Sequence, residues 1–88
     1  MTPSKISEIK SAVESAQRIL VIQADNPDGD SLGSALALEH ILGDLGKDVW
    51  LYCGVDIPGY LKYLSGWDRV QQTIPSQFDL TIIVDTSA

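Results

Sequence analysis

Apolar residues recur at Ile6, Ile9, Val13 and Ala16 after Ser4, a spacing of three to four that lines one face of a helix. Ser4 is a suitable N-cap, so the pattern predicts a helix over residues 5–17. The period then changes. RILVIQ, at Arg18–Gln23, is a short, almost continuous apolar run with β-branched members, which is how a strand covered on both faces reads. Beyond the acidic part of ADNPDGDSLGS, apolar residues return at Leu32, Ala35, Leu36, Ala37, Leu38, Ile41, Leu42 and Leu45. That stripe predicts a helix over residues 31–45, broad enough to lie on a sheet, and Gly46 stands where a helix ends. DVWLYC, at Asp48–Cys53, is a second strand. Asp56 is a candidate cap for a short helix that opens at Ile57-Pro58, runs to about Leu64 and ends at Ser65-Gly66. Residues 67–77 read as irregular, with a brief strand at 69–71. DLTIIVD, residues 79–85, is a third apolar strand.

Helices alternating with apolar strands predict an α/β domain with a parallel sheet. Short loops and right-handed crossovers make it Rossmann-like or flavodoxin-like, a partial three-layer sheet of about three strands. At 88 residues, one domain over residues 1–88 is expected. The acidic loop leaves the carboxyl end of the first strand and enters a helix, and Asp85 lies at the carboxyl end of the third. Ligands of open parallel sheets bind outside those ends. If the two strands are neighbours, Asp28, Asp30 and Asp85 converge.

Six Lys+Arg against twelve Asp+Glu give a net charge of -6. This argues against electrostatic capture of nucleic acid or of an anionic membrane, both of which rely on clustered bases. An anionic substrate remains compatible if a metal supplies positive charge locally. Cys53 is the only cysteine, so no internal disulfide forms and the residue reads as a buried small hydrophobe. The segment MTPSKISEIK lacks the apolar core of a signal peptide, and no apolar run approaches the roughly 18 residues of a membrane helix. A cytoplasmic protein is expected. Neither a GxGxxG nor a P-loop is present. His40 reads as a surface helix residue. Trp50, Trp67, Tyr60 and Tyr63 read as core or rim packing, because a single basic residue, Lys62, lies among them.

The loop places Asp25, Asp28 and Asp30 within six residues. Carboxylates this close repel unless a cation lies between them, and hard oxygen ligands suit magnesium or manganese, or calcium with enough oxygens. Gly29 between Asp28 and Asp30 allows a tight path that aims both at one centre. The N–H groups of the helix beginning at Ser31, Leu32 and Gly33 are suited to receive a phosphate. Together these suit phosphoester hydrolysis with two metals. The competing reading is structural. Asn-Pro-Asp-Gly is a strong turn, Asp30 is an acceptable N-cap, and Asp85 at a strand end can cap a turn. Asp28, Asp30, Gly33 and Glu39 partly fit a calcium-loop spacing, but Leu32 falls on a ligand position and the preceding element reads as a strand.

Asn-Pro-Asp-Gly-Asp-Ser-Leu-Gly-Ser, residues 26–34, after an apolar strand and before a helix, resembles the first motif of the DHH-family phosphoesterases. The nearest branch is the group of oligoribonucleases and 3′-phosphoadenosine-5′-phosphate phosphatases, related to cyclic-di-AMP phosphodiesterases and to the exonuclease RecJ. Asp56-Ile57-Pro58, Tyr63-Leu64-Ser65-Gly66 and the strand ending Asp85-Thr86-Ser87 are similar to later parts of that group. The resemblance implies that Asp28 and Asp30 bind separate manganese ions, with magnesium as the alternative, and that Asp85 bridges them. These three aspartates would then act catalytically through metal-bound water on a short RNA or DNA oligonucleotide, a nucleotide phosphate or a cyclic dinucleotide. Ala24 stands where the branch usually carries a ligating histidine. The Asp-His-His motif and the substrate-binding domain would lie beyond Ala88, so the resemblance implies an amino-terminal portion, inactive alone. The alternative is a non-enzymatic Rossmann-like binding or assembly module whose acidic loop is only a turn and helix cap. In either case an unpaired sheet edge offers a route to self-association, and no membrane partner is expected.

Overall fold

A computed structural model describes residues 3–23 and 26–84, with side chains described from Ser7 onward. The expectations placed on Ala24, Asp25 and Asp85 therefore lie outside the described residues. The elements are α1 (Pro3–Ser15), β1 (Arg18–Gln23), α2 (Gly29–Asp44), β2 (Asp48–Cys53), two 3-10 turns (Gly59–Leu61 and Trp67–Arg69), β3 (Val70–Gln71) and β4 (Leu80–Val84). They form an α/β unit with a four-stranded, wholly parallel sheet in the order β3-β2-β1-β4. The brief segment expected at 69–71 is a true strand, paired to β2 through Leu51 and Tyr52. The sheet thus has four strands where about three were expected.

β1 is central because its sequence suits burial on both faces. Ile19, Leu20 and Val21 are all buried, and Ile22 is half-buried. On one face, Ile19 and Val21 meet Leu51, Val84 and the Ala35 and Leu42 side of α2. Covering both faces of the middle strand is the usual requirement of a parallel sheet. β4 forms one edge, and its Ile83 is 70 % exposed.

α2 stops at a glycine-dependent cap. Gly46 has φ +80, Gly46 N–H donates to the Gly43 carbonyl at 2.9 Å, and Lys47 N–H donates to that of Leu42 at 3.0 Å. This paired closure is the Schellman arrangement, and the positive φ explains the glycine. The short helix expected from Ile57 to Leu64 does not form. Pro58 and Gly59 open only a 3-10 turn, anchored by the buried Leu61, and Asp56 accepts from Gln72 Nε2 rather than capping it. Tyr60 and Tyr63 depart from the core or rim packing expected of them. Tyr60 and Tyr63 are largely exposed and Trp50 is partly so, whereas Trp67 is half-buried with Lys62 Nζ 4.6 Å from its ring centroid. Tyrosine and tryptophan tolerate a wet polar end, so apolar bulk alone did not bury them.

The start of β4 is pinned to that of β1 by one carboxylate. Asp79 Oδ2 accepts from Gln17 N–H and Arg18 N–H, each at 2.9 Å, and Asp79 N–H donates to the Arg18 carbonyl at 2.7 Å. The bonds from Arg18 and Gln17 hold the carboxyl group below its ordinary 3.8. A lowered folded-state value makes this contribution complete above 3.8 and lost as pH falls through the folded value. Asp79→Ala is therefore expected to melt below wild type at pH 7, with the gap closing as pH is lowered below about 3.8. Thermal unfolding of both proteins across that range checks it. A gap independent of pH would deny the carboxylate this role.

Among the described residues, no helix is long and apolar enough to cross a membrane.

Candidate functional site

The candidate site lies where β1 ends and α2 begins. Register places Gln23 opposite Cys53 of β2 and Val84 of β4, so three strand ends stand side by side at the carboxyl edge of the sheet. β1 and β4 are direct neighbours, as convergence of Asp28, Asp30 and Asp85 requires. The chain leaves β1, passes the buried Pro27 and enters α2 at Gly29.

Asp28, rather than Asp30, is the N-cap. Its backbone is extended, with φ -125 and ψ -178, and its Oδ1 accepts from Ser31 N–H at 2.8 Å. Ser31 Oγ accepts in return from Asp28 N–H at 2.9 Å, and the Asp28 carbonyl accepts from Leu32 N–H at 3.0 Å. This reciprocal pair is a capping box in which serine fills the position more often held by Glu or Gln. It satisfies donors that the first turn would otherwise leave open. Asp30 lies in that first turn, exposed, where the positive end of the helix dipole favours its charge. Two carboxylates, two residues apart in the chain, thus stand at the helix terminus.

The expectation for Gly29 is corrected. Among the described glycines only Gly46 and Gly66 have positive φ, so Gly29 adopts a backbone open to any residue. A methyl group there would lie 3.6 Å from the Tyr63 hydroxyl, an ordinary contact. The same distance places Tyr63 beside the acidic loop, although it is 74 % exposed and sequence reasoning assigned it to packing.

Gln23 was also missed. It is 3 % exposed, its Nε2 donates to Ser31 Oγ, and among the described residues its Oε1 has no hydrogen-bond partner. The available signal was a polar residue closing an otherwise apolar strand. Ser31 is likewise buried and ties this amide to the Asp28 cap.

The donor set suits a hard divalent cation such as manganese or magnesium. It offers carboxylate oxygens at Asp28 and Asp30, of which Asp28 Oδ1 already accepts from Ser31 N–H. It is a partial set: among the described residues, no group of three or more His, Cys, Asp and Glu side chains is placed to hold a metal. Glu39, the twelfth position of the calcium-loop spacing, is turned to Arg69, accepting from Nε at 2.9 Å and from one terminal nitrogen at 2.6 Å. With a strand before the loop as well, that spacing does not form a calcium hand. His40 is exposed on α2, as expected, and Cys53 is buried.

A shallow cavity of about 300 Å³ lies at the opposite edge, lined by Arg18, Asp48, Trp50 and Phe78 among others. Arg18 there already donates to Gln77 Oε1 at 2.7 Å. Parallel sheets place ligand chemistry at the carboxyl ends of their strands, so the acidic loop is the stronger candidate. No protein-family profile, curated protein or solved structure matches the chain.

Proposed function

We propose that this chain supplies part of the cation site of a DHH-type, two-metal phosphoesterase. Its substrates would be short oligonucleotides, nucleotide phosphates or cyclic dinucleotides. The observation that carries the reading is the placement of Asp28 and Asp30 on a capped helix terminus at the carboxyl edge, beside the β1–β4 pair. Manganese or magnesium, when bound, supplies an activated water and neutralises charge on the phosphoryl group.

The chain's own residues have separable tasks. Asp28 and Asp30 hold the cations together with Asp85, which follows β4 in the sequence. The backbone N–H groups of Ser31 and Leu32, expected to receive a phosphate, are already taken by Asp28, so α2 acts on the phosphoryl oxygens through its dipole. Ser31 keeps the Asp28 carboxylate directed by engaging one of its two oxygens. Three carboxylates do not complete two metal sites, so the 88-residue chain is expected to bind manganese weakly and to hydrolyse phosphodiesters slowly or not at all.

A second reading is a non-catalytic α/β module in which Asp28 is only a cap. The complete capping box favours it, since that box accounts for Asp28 without a cation. Manganese titration separates the two. Binding to the folded state raises stability by about 1.4 kcal/mol when the metal is at ten times its Kd. For a domain of this size that is a rise of roughly 6–11 °C in Tm. A rise that saturates in the millimolar range supports the cation site, and no rise supports the module.

A further inference from the structure

β1 and β2 begin side by side at the amino edge of the sheet, where Arg18 is the ladder partner of Asp48. Side chains alternate along a strand, so Arg18, Asp48 and Trp50 stand on one face of the sheet and Ile19, Val21 and Leu51 on the other. The second set packs in the core with Ala35 and Leu42 of α2 and Val13 of α1. On the face of Arg18 the cover is the segment 75–78, which walls a cavity of about 300 Å³ over Arg18, Asp48 and Trp50. That wall is fastened at both ends. Trp50 Nε1 donates to the Thr73 carbonyl at 2.8 Å, and Asp79 Oδ2 holds the Gln17 and Arg18 N–H groups at 2.9 Å. A pocket whose wall is pinned in advance loses little freedom when it fills.

The lining is chemically mixed. Trp50 and Phe78 supply exposed aromatic surface. Arg18 and Asp48 carry opposite charges on strands roughly 4.8 Å apart, a placement that favours a cross-strand ion pair. None forms between them. Among the described residues, ion pairs join Lys10 to Glu14 and Arg69 to Glu39. Arg18 instead donates from one terminal nitrogen to Gln77 Oε1 at 2.7 Å, which leaves its other guanidinium donors for a ligand. No described residue donates to the Asp48 carboxylate.

A separated cation and anion beside an aromatic wall suit a molecule with both charges close together on an apolar body. An α-amino acid is such a molecule. Its carboxylate matches the guanidinium fork, and its ammonium, on the same carbon, answers Asp48. A simple carboxylate or phosphate would face Asp48 with a like charge. We infer that this cavity binds a free α-amino acid with a large apolar side chain. The carboxylate lies on Arg18, the ammonium on Asp48, and the side chain against Trp50 and Phe78. The site is at the opposite edge of the sheet from Asp28 and Asp30 and stands independently of the cation site.

The test is a titration of L-phenylalanine into the wild-type chain, followed by backbone amide shifts. Shifts centred on residues 18, 48–50 and 75–78 that saturate in the millimolar range are expected. N-acetylphenylalanine, which lacks the ammonium, and phenethylamine, which lacks the carboxylate, are each expected to bind about tenfold more weakly. Asp48→Asn is expected to bind L-phenylalanine about tenfold more weakly and to lose most of its preference over N-acetylphenylalanine. No shift at tens of millimolar L-phenylalanine overturns the inference. So does binding of either analogue within about twofold of the amino acid. Guanosine, whose base also has donor and acceptor edges, is the control for stacking on Trp50 alone, and binding of guanosine without L-phenylalanine overturns the inference as well. If Asp48→Asn does not fold, the comparison of the ligands on the wild-type chain decides the question.

Discussion

Asp28→Ala is expected to lose stability and cation binding together, whereas Asp28→Asn is expected to lose only the second. Alanine removes the acceptor for Ser31 N–H and breaks the capping box. Loss of an N-cap costs about 1 kcal/mol, or roughly 4–8 °C in Tm for a domain this small. Asparagine is an equally good N-cap and keeps an oxygen in place, so its melting temperature should stay within a few degrees of wild type. It carries no charge, however, and a neutral amide in place of a ligating carboxylate should weaken manganese binding by about tenfold or more, equivalent to about 1.4 kcal/mol. Thermal melts with and without MnCl2 read both effects. The pair of variants is needed because Asp28 serves the helix whether or not it serves a cation. Asp28→Asn with unchanged manganese binding would reduce the residue to a cap.

The second large effect is expected at Leu32, which is fully buried and directly follows Ser31 in the first turn of α2. Burial there sets where the helix terminus sits, and with it the two carboxylates on either side of Gly29. Truncating a fully buried leucine to alanine costs about 2–5 kcal/mol. On a per-residue scale, a chain of this length has about 4–13 kcal/mol in total. Leu32→Ala is therefore expected to lose between about a sixth and the whole of that stability, seen as a lower urea midpoint with an unchanged slope. A loss below about 1 kcal/mol would mean that the first turn of α2 is held by the capping box alone.

The strands were legible because each apolar run opens on a charged residue, Arg18, Asp48 or Asp79. β1 and β2 occupy the spans that RILVIQ and DVWLYC predict, and β4 is shorter by one residue at its start, with Asp79 outside it pinning the backbone. α2 was legible from its stripe and from Gly46. Its start was not, because Asp28 and Asp30 are both acceptable caps and only the return bond from Ser31 decides between them. The short helix at 57–64 was overread, since Leu61 is the one residue there that is fully buried. In the site, the carboxylate pair was plain from Asp-Gly-Asp. Tyr63 and Gln23 were not, because each reaches the loop through tertiary structure. Tyr63 arrives from a turn more than thirty residues away, and Gln23 through a side-chain bond between a strand and the next helix.

That the acidic loop is a cation site is tested most directly by following the backbone amides of the wild-type chain during a manganese titration. Broadening concentrated at residues 28–31 and at Val84, at metal concentrations that leave α1 and the 72–78 loop sharp, is the predicted result. Uniform broadening, or none at millimolar manganese, would contradict it and leave Asp28 as the cap of a helix.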